Sequence, residues 1–433
     1  MNGPAPVTDI ERRTTRKLQV RILPFVMLLY LVSFLDRSNV GFAAFGMNKA
    51  IGLTPAMFGL GSSLFFLGYV AFQVPANLIL LRIGARAWIA QVVLAWGLVS
   101  MASAFVVGPH SFYVMRMLLG VAESGLFPGT ILYLSLWFPA RQRAGAVAIF
   151  MAAAPLSNAI GSPISGALME MPRFAGLANW QWLYIIEALP AILLSLLTLK
   201  ALTDSPGQAA WLRPEERTWL LDTLAAERAH AKTHPSTLAA VWMVVRDPRV
   251  LALALVYSGT SAGLYAIGFW APLLIKGFGL SAIAVGWLNA LPSVVALIGM
   301  VLWARHSDQT LERTWHTAIP CVLACVGLAW VGYAQTVPAV IAALALASFG
   351  VNGPKGPIWA IPSLFLSGAS AAAGIALINS LGNLGGFVGP ILIGWIKDRW
   401  GSYAIGLDAV SAMLLLSALV MLAIQRQISP GQR

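Results

Sequence analysis

The stretch LLYLVSFLDRSNVGFAAFGM, residues 28–47, is an apolar run with Asp36 and Arg37 side by side inside it. In a lipid-spanning helix each such charge costs about 2.5–3.5 kcal/mol on insertion scales, so charges there are kept for function or for pairing. The rest of the chain has the same character. Of 433 residues, 58% are hydrophobic and 10% charged, against roughly 25% charged in a soluble protein. Apolar runs long enough to cross a bilayer fall at 21–44, 56–80, 86–107, 110–137, 142–168 and 181–201, then at 248–275, 281–304, 314–334, 337–366, 370–396 and 401–425. The fold class is therefore an all-α membrane protein of twelve transmembrane helices, here called spans 1 to 12.

The one long polar stretch, 202–247, divides the chain. The expected organisation is a tail at 1–20, a six-helix half at 21–201, a linker at 202–247, a second half at 248–425 and a tail at 426–433. In the linker, PEERTWLLDTLAAERAHAK places Pro and acids first and bases last, the order a surface helix prefers. Arg82 and Arg305 follow spans 2 and 8 at an offset of 223, and Pro163 and Pro390 lie in spans 5 and 11 at an offset of 227. Similar offsets at two places point to pseudo-symmetric halves with a binding site between them.

The formal charge of +12 raises the possibility of nucleic acid. With the N-terminus inside, however, twenty Lys and Arg fall at inner ends and five in outer loops, while Arg37, Arg116 and Lys355 lie within spans. The excess is topological. It places both termini in the cytoplasm and excludes a nucleic-acid partner. No cleavable leader is read at the basic start. Cys321 and Cys325 read as packing residues, and His230 and His234, in the linker beside Lys232, do not make a metal site. No metal and no cofactor are expected, and no nucleophile, base and ligands converge as an enzyme would need.

Depth orders the buried charges. With span 1 ending at Ala44, Asp36 lies about 12 Å below the outer surface. With span 4 starting near His110, Arg116 lies about 9 Å in and Glu123 about 20 Å in. Asp36, Arg37 and Arg116 thus share a level, and Glu123 lies near the midplane with no charge evident at its depth. Arg116 and Glu123, seven apart, occupy one helix face. A carboxyl in low dielectric is a proton carrier. The alternative is a structural ion pair, Arg116 with Asp36, locking helices together. Lys355 lies in NGPKGPIWAIP, where two Gly-Pro pairs predict a broken helix, too deep to snorkel. It reads as an anion ligand, or as the partner of Glu123 across the halves. Trp359, one turn on, is core, belt or stacking surface. Tyr69 with Gln73, Asn158, Tyr265, and Asn379 with Asn383 read first as interhelical hydrogen-bonders. Glu187 reads as a cap, a local pair or a proton site.

Six segments together carry a family resemblance: SFLDRSNVGFA, RMLLGVAESGLFPG, WFPARQRAGA, ARHSD, GPKGPIWAIPS and ALINSLGNLGGFVGP. The chain resembles the major facilitator superfamily and, within it, the anion:cation symporter family of permeases for sugar acids, tartrate, phthalate and hydroxyphenylacetate. The resemblance implies import of a small organic anion by proton symport through alternating access, in a bacterial inner membrane, by a monomer. It implies protonation at Asp36 and Glu123, coupling by Arg116, and a path past Tyr69 and Arg37. The family's gating signature after span 2 keeps Arg82, Gly84 and Arg86 but has Leu81 where an acid is usual. Its counterpart after span 8 keeps Arg305 and Asp308, so gating is expected to rest more on the second half. The expected substrate set is Arg37, Tyr69, Arg116, Lys355, Trp359, Asn379 and Asn383, in which Lys355 and Trp359 suit a small aromatic acid and the two asparagines suit a hydroxylated acid equally well. A proton-independent uniporter or exchanger of the same fold, and a non-transporting sensor, are the alternatives.

Overall fold

A computed structural model describes residues 9–231, 237–366 and 368–428. Twelve helices in it are long and apolar enough to cross a membrane. They are Asp9–Ala50, Pro55–Gln73, Ala85–Phe105, Pro109–Trp137, Ala140–Leu168 and Asn179–Ala201, then Pro248–Lys276, Ala282–Thr310, Thr314–Tyr333, Val337–Leu364, Ala373–Trp400 and Tyr403–Ala423. All twelve coincide with the expected spans. Span 1 starts twelve residues before and ends six residues after the expected 21–44, and span 8 likewise runs six residues past its expected end at 304. Several starts are fixed locally. Thr54, Ser281 and Thr336 each accept a hydrogen bond from the third amide beyond, and Pro55, Pro109 and Pro248 occupy first-turn positions that need no donor.

Three spans are broken where they carry charge. Span 1 is interrupted at Asn39, just after Asp36 and Arg37, and span 4 at Ser124–Gly125, just after Glu123. Span 10 stops at Asn352 and restarts at Lys355, as the Gly-Pro pairs predict. Breaks of this kind are tolerated at membrane depth only where protein or a cavity takes up the freed backbone groups.

The two halves meet mainly along spans 2 and 11 and spans 5 and 8. Glycine allows both approaches. A Cβ added to Gly59 would lie 2.6 Å from the Pro390 carbonyl oxygen, and one added to Gly286 would lie 2.5 Å from that of Ser162. Gly59 and Gly286 are 227 residues apart, as are Pro163 and Pro390, so the two contacts are images of one another under the repeat.

The same pairing closes the bundle on the face away from the chain ends, here termed distal. The Ala56 amide, in the first turn of span 2, donates to Asp398 Oδ2 of span 11 at 3.0 Å. The Ala282 amide, first in span 8, donates to Glu170 Oε1, just past span 5, at 2.5 Å. Each half thus offers a carboxylate to an unsatisfied helix N-terminus of the other, where the helix dipole also favours it. Among the described residues no carboxylate caps a helix of the other half at the opposite face; Ser380 of span 11 donates to Gln73 Oε1 of span 2 at 2.9 Å on the way toward it. The core runs without interruption from the first half into the distal part of the second, whereas residues such as Val250, Leu253, Ile361 and Met421 at the chain-end face form a separate cluster. The molecule is closed distally, and its halves are less joined at the chain-end face.

The linker is shared between them. Helix Pro214–Ala231 docks on span 1, where Lys17 Nζ meets Glu216 Oε2 at 2.7 Å, and helix Thr237–Arg246 packs on span 11. The side chain of His230 and residues 232–236, with Lys232 and His234, lie outside the described residues, as do 1–8 and 429–433. Asp398→Asn and Glu170→Gln should each loosen distal closure, and the double variant more than either. The check is the distance between spin labels at Lys49 and Phe278 in a background without Cys321 and Cys325, which should broaden toward longer values.

Candidate functional site

The buried charges are arranged by helix ends rather than by residue count from an assumed boundary. Because span 1 runs to Ala50, Arg37 stands thirteen residues, about 20 Å, below the distal end of its helix. Glu123 stands fourteen residues, about 21 Å, below the start of span 4 at Pro109. They therefore share a level and meet: Arg37 Nε donates to Glu123 Oε1 at 2.8 Å. Ser33, one turn before Arg37, donates its hydroxyl to the same oxygen. The expectation that Glu123 has no charge at its depth is corrected, and with it the idea that Lys355 pairs with Glu123. The cause is the longer helix 1.

The Arg37 guanidinium is the centre of a dense set of contacts. Its Nη1 donates to the Tyr265 hydroxyl of span 7 at 3.1 Å, a bond between the halves. Its plane faces the rings of Phe34, Phe65 and Tyr69 at 4.9–5.2 Å. Cation–π contacts of a desolvated guanidinium add about 2 kcal/mol or more.

Asp36 and Arg116 do not pair. Asp36 Oδ2 accepts from Trp96 Nε1 at 2.6 Å and Oδ1 from Ser100 at 2.9 Å, both on span 3. Arg116 lies half a helix above, about 10 Å nearer the distal face than Asp36 once span 1 has its true length. It is 1% exposed, touches the Ser62 carbonyl at 3.5 Å, and has no partner for Nε or Nη1. Its guanidinium lies over Phe65 of one half and Phe269 of the other, at 5.4 and 5.8 Å. The structural ion pair is thus replaced by a bare buried cation at the closed interface. A bare cation in an apolar setting is costly, and an anion delivered beside it would offset that cost.

Between the halves, beneath this plug, lies a cavity. Arg37 and Tyr69 line it from the first half, and Lys355, Asn379 and Asn383 from the second. Its free volume is about 30 Å³, room for one or two waters but not for an organic anion. A ligand of that size needs the halves to part. Lys355 Nζ donates to Asn352 Oδ1 at 2.7 Å and has no carboxylate partner. Asn383 Nδ2 donates to the Asn379 carbonyl at 2.8 Å and to Asn379 Oδ1 at 3.2 Å, which leaves Asn383 Oδ1 and Asn379 Nδ2 to the cavity. Trp359 is not part of the lining. It packs edge-on behind Tyr257, a lining residue, at 5.1 Å between ring centres.

Sequence reasoning passed over most of the cavity's hydroxyls. Tyr30, Tyr257, Thr260 and Ser261 all line it, and Tyr265, read only as an interhelical hydrogen-bonder, binds Arg37. A signal was present: Tyr257, Ser261 and Tyr265 repeat every four residues on span 7, and Tyr30, Ser33 and Arg37 follow one face of span 1. The gating residues stay within their own halves. Arg86 approaches Asp204 of the linker at 3.8 Å, Asp308 pairs with Arg313 at 2.7 Å, and Arg82 and Arg305 are exposed. Among the described residues no group of His, Cys, Asp and Glu could hold a metal ion.

The family model described as Major Facilitator Superfamily matches residues 26–390. A protein of Agrobacterium vitis assigned as a tartrate transporter is 57% identical over 97% of this chain and 96% of its own. A quinolone resistance transporter of Acinetobacter baumannii is 39% identical over 97% of each chain. Among solved structures, a bacterial homologue of the human lysosomal transporter Spinster, inward-facing and unoccupied, superposes with a TM-score of 0.78 at 16% identity, covering 99% of both chains. The chain is a multi-pass membrane transporter and not an enzyme.

Removing one partner of a buried ion pair costs about 3–5 kcal/mol, because the other charge is left bare. Arg37→Met and Glu123→Met should therefore each lower the unfolding temperature in detergent. The double variant should recover most of the loss, read by thermal unfolding of the purified protein.

Proposed function

The chain belongs to the major facilitator superfamily, and from that premise we propose that it imports a small organic anion with protons by alternating access. The observation that carries this reading is the cavity between the halves, faced by one cation from each. Arg37 and Lys355 would hold the two ends of an acid with two anionic groups, or its carboxylate and a polar end. The tartrate named for the Agrobacterium vitis relative fits this spacing of roles, since a hydroxylated dicarboxylate would also use the hydroxyls of Tyr69 and Tyr257 and the amides of Asn379 and Asn383.

Coupling follows from competition for one guanidinium. While Glu123 is ionised it occupies Arg37 Nε. A proton on Glu123 weakens that charge-assisted bond and frees Arg37 for a substrate carboxylate. Asp36 is the second proton site, beside Arg37 on the chain-end side of the break at Asn39. Arg116, about 10 Å nearer the distal face and without a carboxylate partner, favours whichever of proton-free Asp36 or arriving anion is present through its field, and so links the two. Once substrate and protons are loaded, the occluded charges balance and the halves can rock about the site. The 20-to-5 charge bias puts the chain ends, and hence the face with fewer ties, in the cytoplasm of a bacterial inner membrane. Release there completes import by a monomer.

In proteoliposomes with an imposed proton gradient, Glu123→Gln should abolish accumulation of labelled tartrate while counterflow persists. Intact gradient-driven accumulation in that variant would sink the assignment. Lys355→Gln should raise the half-saturating concentration about tenfold or more, the loss of one charge-assisted contact worth about 1.5–3 kcal/mol. Lys355→Arg should recover part of it.

A further inference from the structure

One buried acid has no part in the cavity or in the Arg37 ion pair. Glu187, on span 6, is 3% exposed. Its Oε1 accepts from the Ser165 hydroxyl of span 5 at 2.6 Å, and its Oε2 is buried with no partner. No lysine, arginine or histidine lies within ion-pair distance among the described residues. Helix capping does not explain it, because it stands eight residues inside a helix that starts at Asn179. Local pairing does not explain it either.

The second acid without a cation is its neighbour. Asp36 faces Glu187 from span 1, and Asn39, one turn on, stands by both. Asn39 Nδ2 reaches Asp36 Oδ1 at 3.4 Å, and its Oδ1 is buried without a partner. The surroundings add little charge. Span 6 itself contributes Tyr184, and span 5 contributes Ser165. Span 3, the main neighbour of span 6, contributes Trp96 and Ser100, both turned to Asp36. From span 4, Arg116 acts on Asp36 and Tyr184 from beyond hydrogen-bond reach. Two buried carboxyls therefore share a compartment without an ion-pair partner among the described residues, and its donors leave Glu187 Oε2 unmet.

We propose that Asp36, Asn39 and Glu187 form a proton-binding site separate from Glu123, in which Glu187 carries one of the transported protons. An ionised carboxylate buried without a cation costs several kcal/mol, and two side by side repel. A proton bound at Glu187 Oε2 removes both penalties and supplies the donor that Asn39 Oδ1 lacks. When Asp36 also loads, the compartment is neutral. When the halves part toward the chain-end face, Asp36 first releases its proton to admitted water, and the proton on Glu187 then crosses through water to the emptied Asp36 carboxylate and leaves from there. This rests on the proton-symport reading above, and adds to it a third carrier and a proton count: one more proton per substrate than the other sites move.

The test is the proton-to-substrate ratio from reversal potentials in proteoliposomes loaded with tartrate. Glu187→Gln should lower the ratio by one and flatten the pH dependence of uptake, while counterflow and unfolding temperature stay near wild type. Glu187→Asp should keep the ratio. Infrared difference spectra of the wild type on alkalinisation give a second readout, in which a protonated-carboxyl band should vanish in Glu187→Gln and shift in Glu187→Asp. A proton-coupled wild type whose ratio, pH profile and carboxyl band are all unchanged by Glu187→Gln overturns this site alone. A wild type whose uptake ignores the proton gradient overturns the symport reading, and this site falls with it.

Discussion

Everything in this bundle is arranged around a guanidinium that has to be kept charged in an apolar interior. Arg37 cannot shed its proton, so the protein surrounds it: a carboxylate at Nε, a tyrosine hydroxyl at Nη1 and three aromatic faces. These groups come from both halves. Their geometry ties the chemistry of the cavity to the relative position of the halves, since Tyr265 can reach Arg37 only while the two are together. The helix breaks in spans 1, 4 and 10 belong to the same constraint. Each puts a charged side chain beside irregular backbone that a continuous apolar helix would not supply.

The distal closure shows how a repeat makes a gate. Gly59 against Pro390 and Gly286 against Ser162 are one contact used twice, and so are Asp398 on Ala56 and Glu170 on Ala282. A carboxylate on a helix N-terminus is worth about 0.3–1 kcal/mol at an exposed position, and up to about 2 kcal/mol in a partly buried one. Two such bonds hold a face shut yet break within reach of the binding energy of a small ligand. The symmetry matters here, because the two contacts rest on glycines that are images of one another under the repeat.

Much of this was legible in the chain. The twelve spans, the break before Lys355, the membrane charges and the 227-residue offset all follow from composition, Gly-Pro pairs and spacing. What misled was one boundary. Ending span 1 at Ala44 moved Asp36 and Arg37 about 9 Å up, which set them opposite Arg116 and left Glu123 alone. Hydropathy falls at Asn48 and Lys49, yet the helix runs on to Ala50 because its final turn packs against span 6, where a Cβ on Gly46 would already touch Trp180. No local signal in the sequence reports that contact. Tyr30 and Tyr257 were missed for a different reason. Each is unremarkable alone, and only the polar repeat along its own helix face marks it.

The unequal fates of the acids follow from this geometry. Glu123 has a cation, so under the proposed coupling its proton would set whether Arg37 is free. Asp36 and Glu187 have no ion-pair partner among the described residues, so there a proton would set how much charge the first half buries. These are different tasks, one chemical and one energetic, and a single carboxyl could not do both. An acid bound to Arg37 responds to whatever competes for Arg37, whereas an acid hidden behind span 1 responds only to water and to its neighbour. Arg37, which holds Glu123, and Asp36, which faces Glu187, are adjacent residues of one helix, just before its break at Asn39. A movement of that helix is then felt by both.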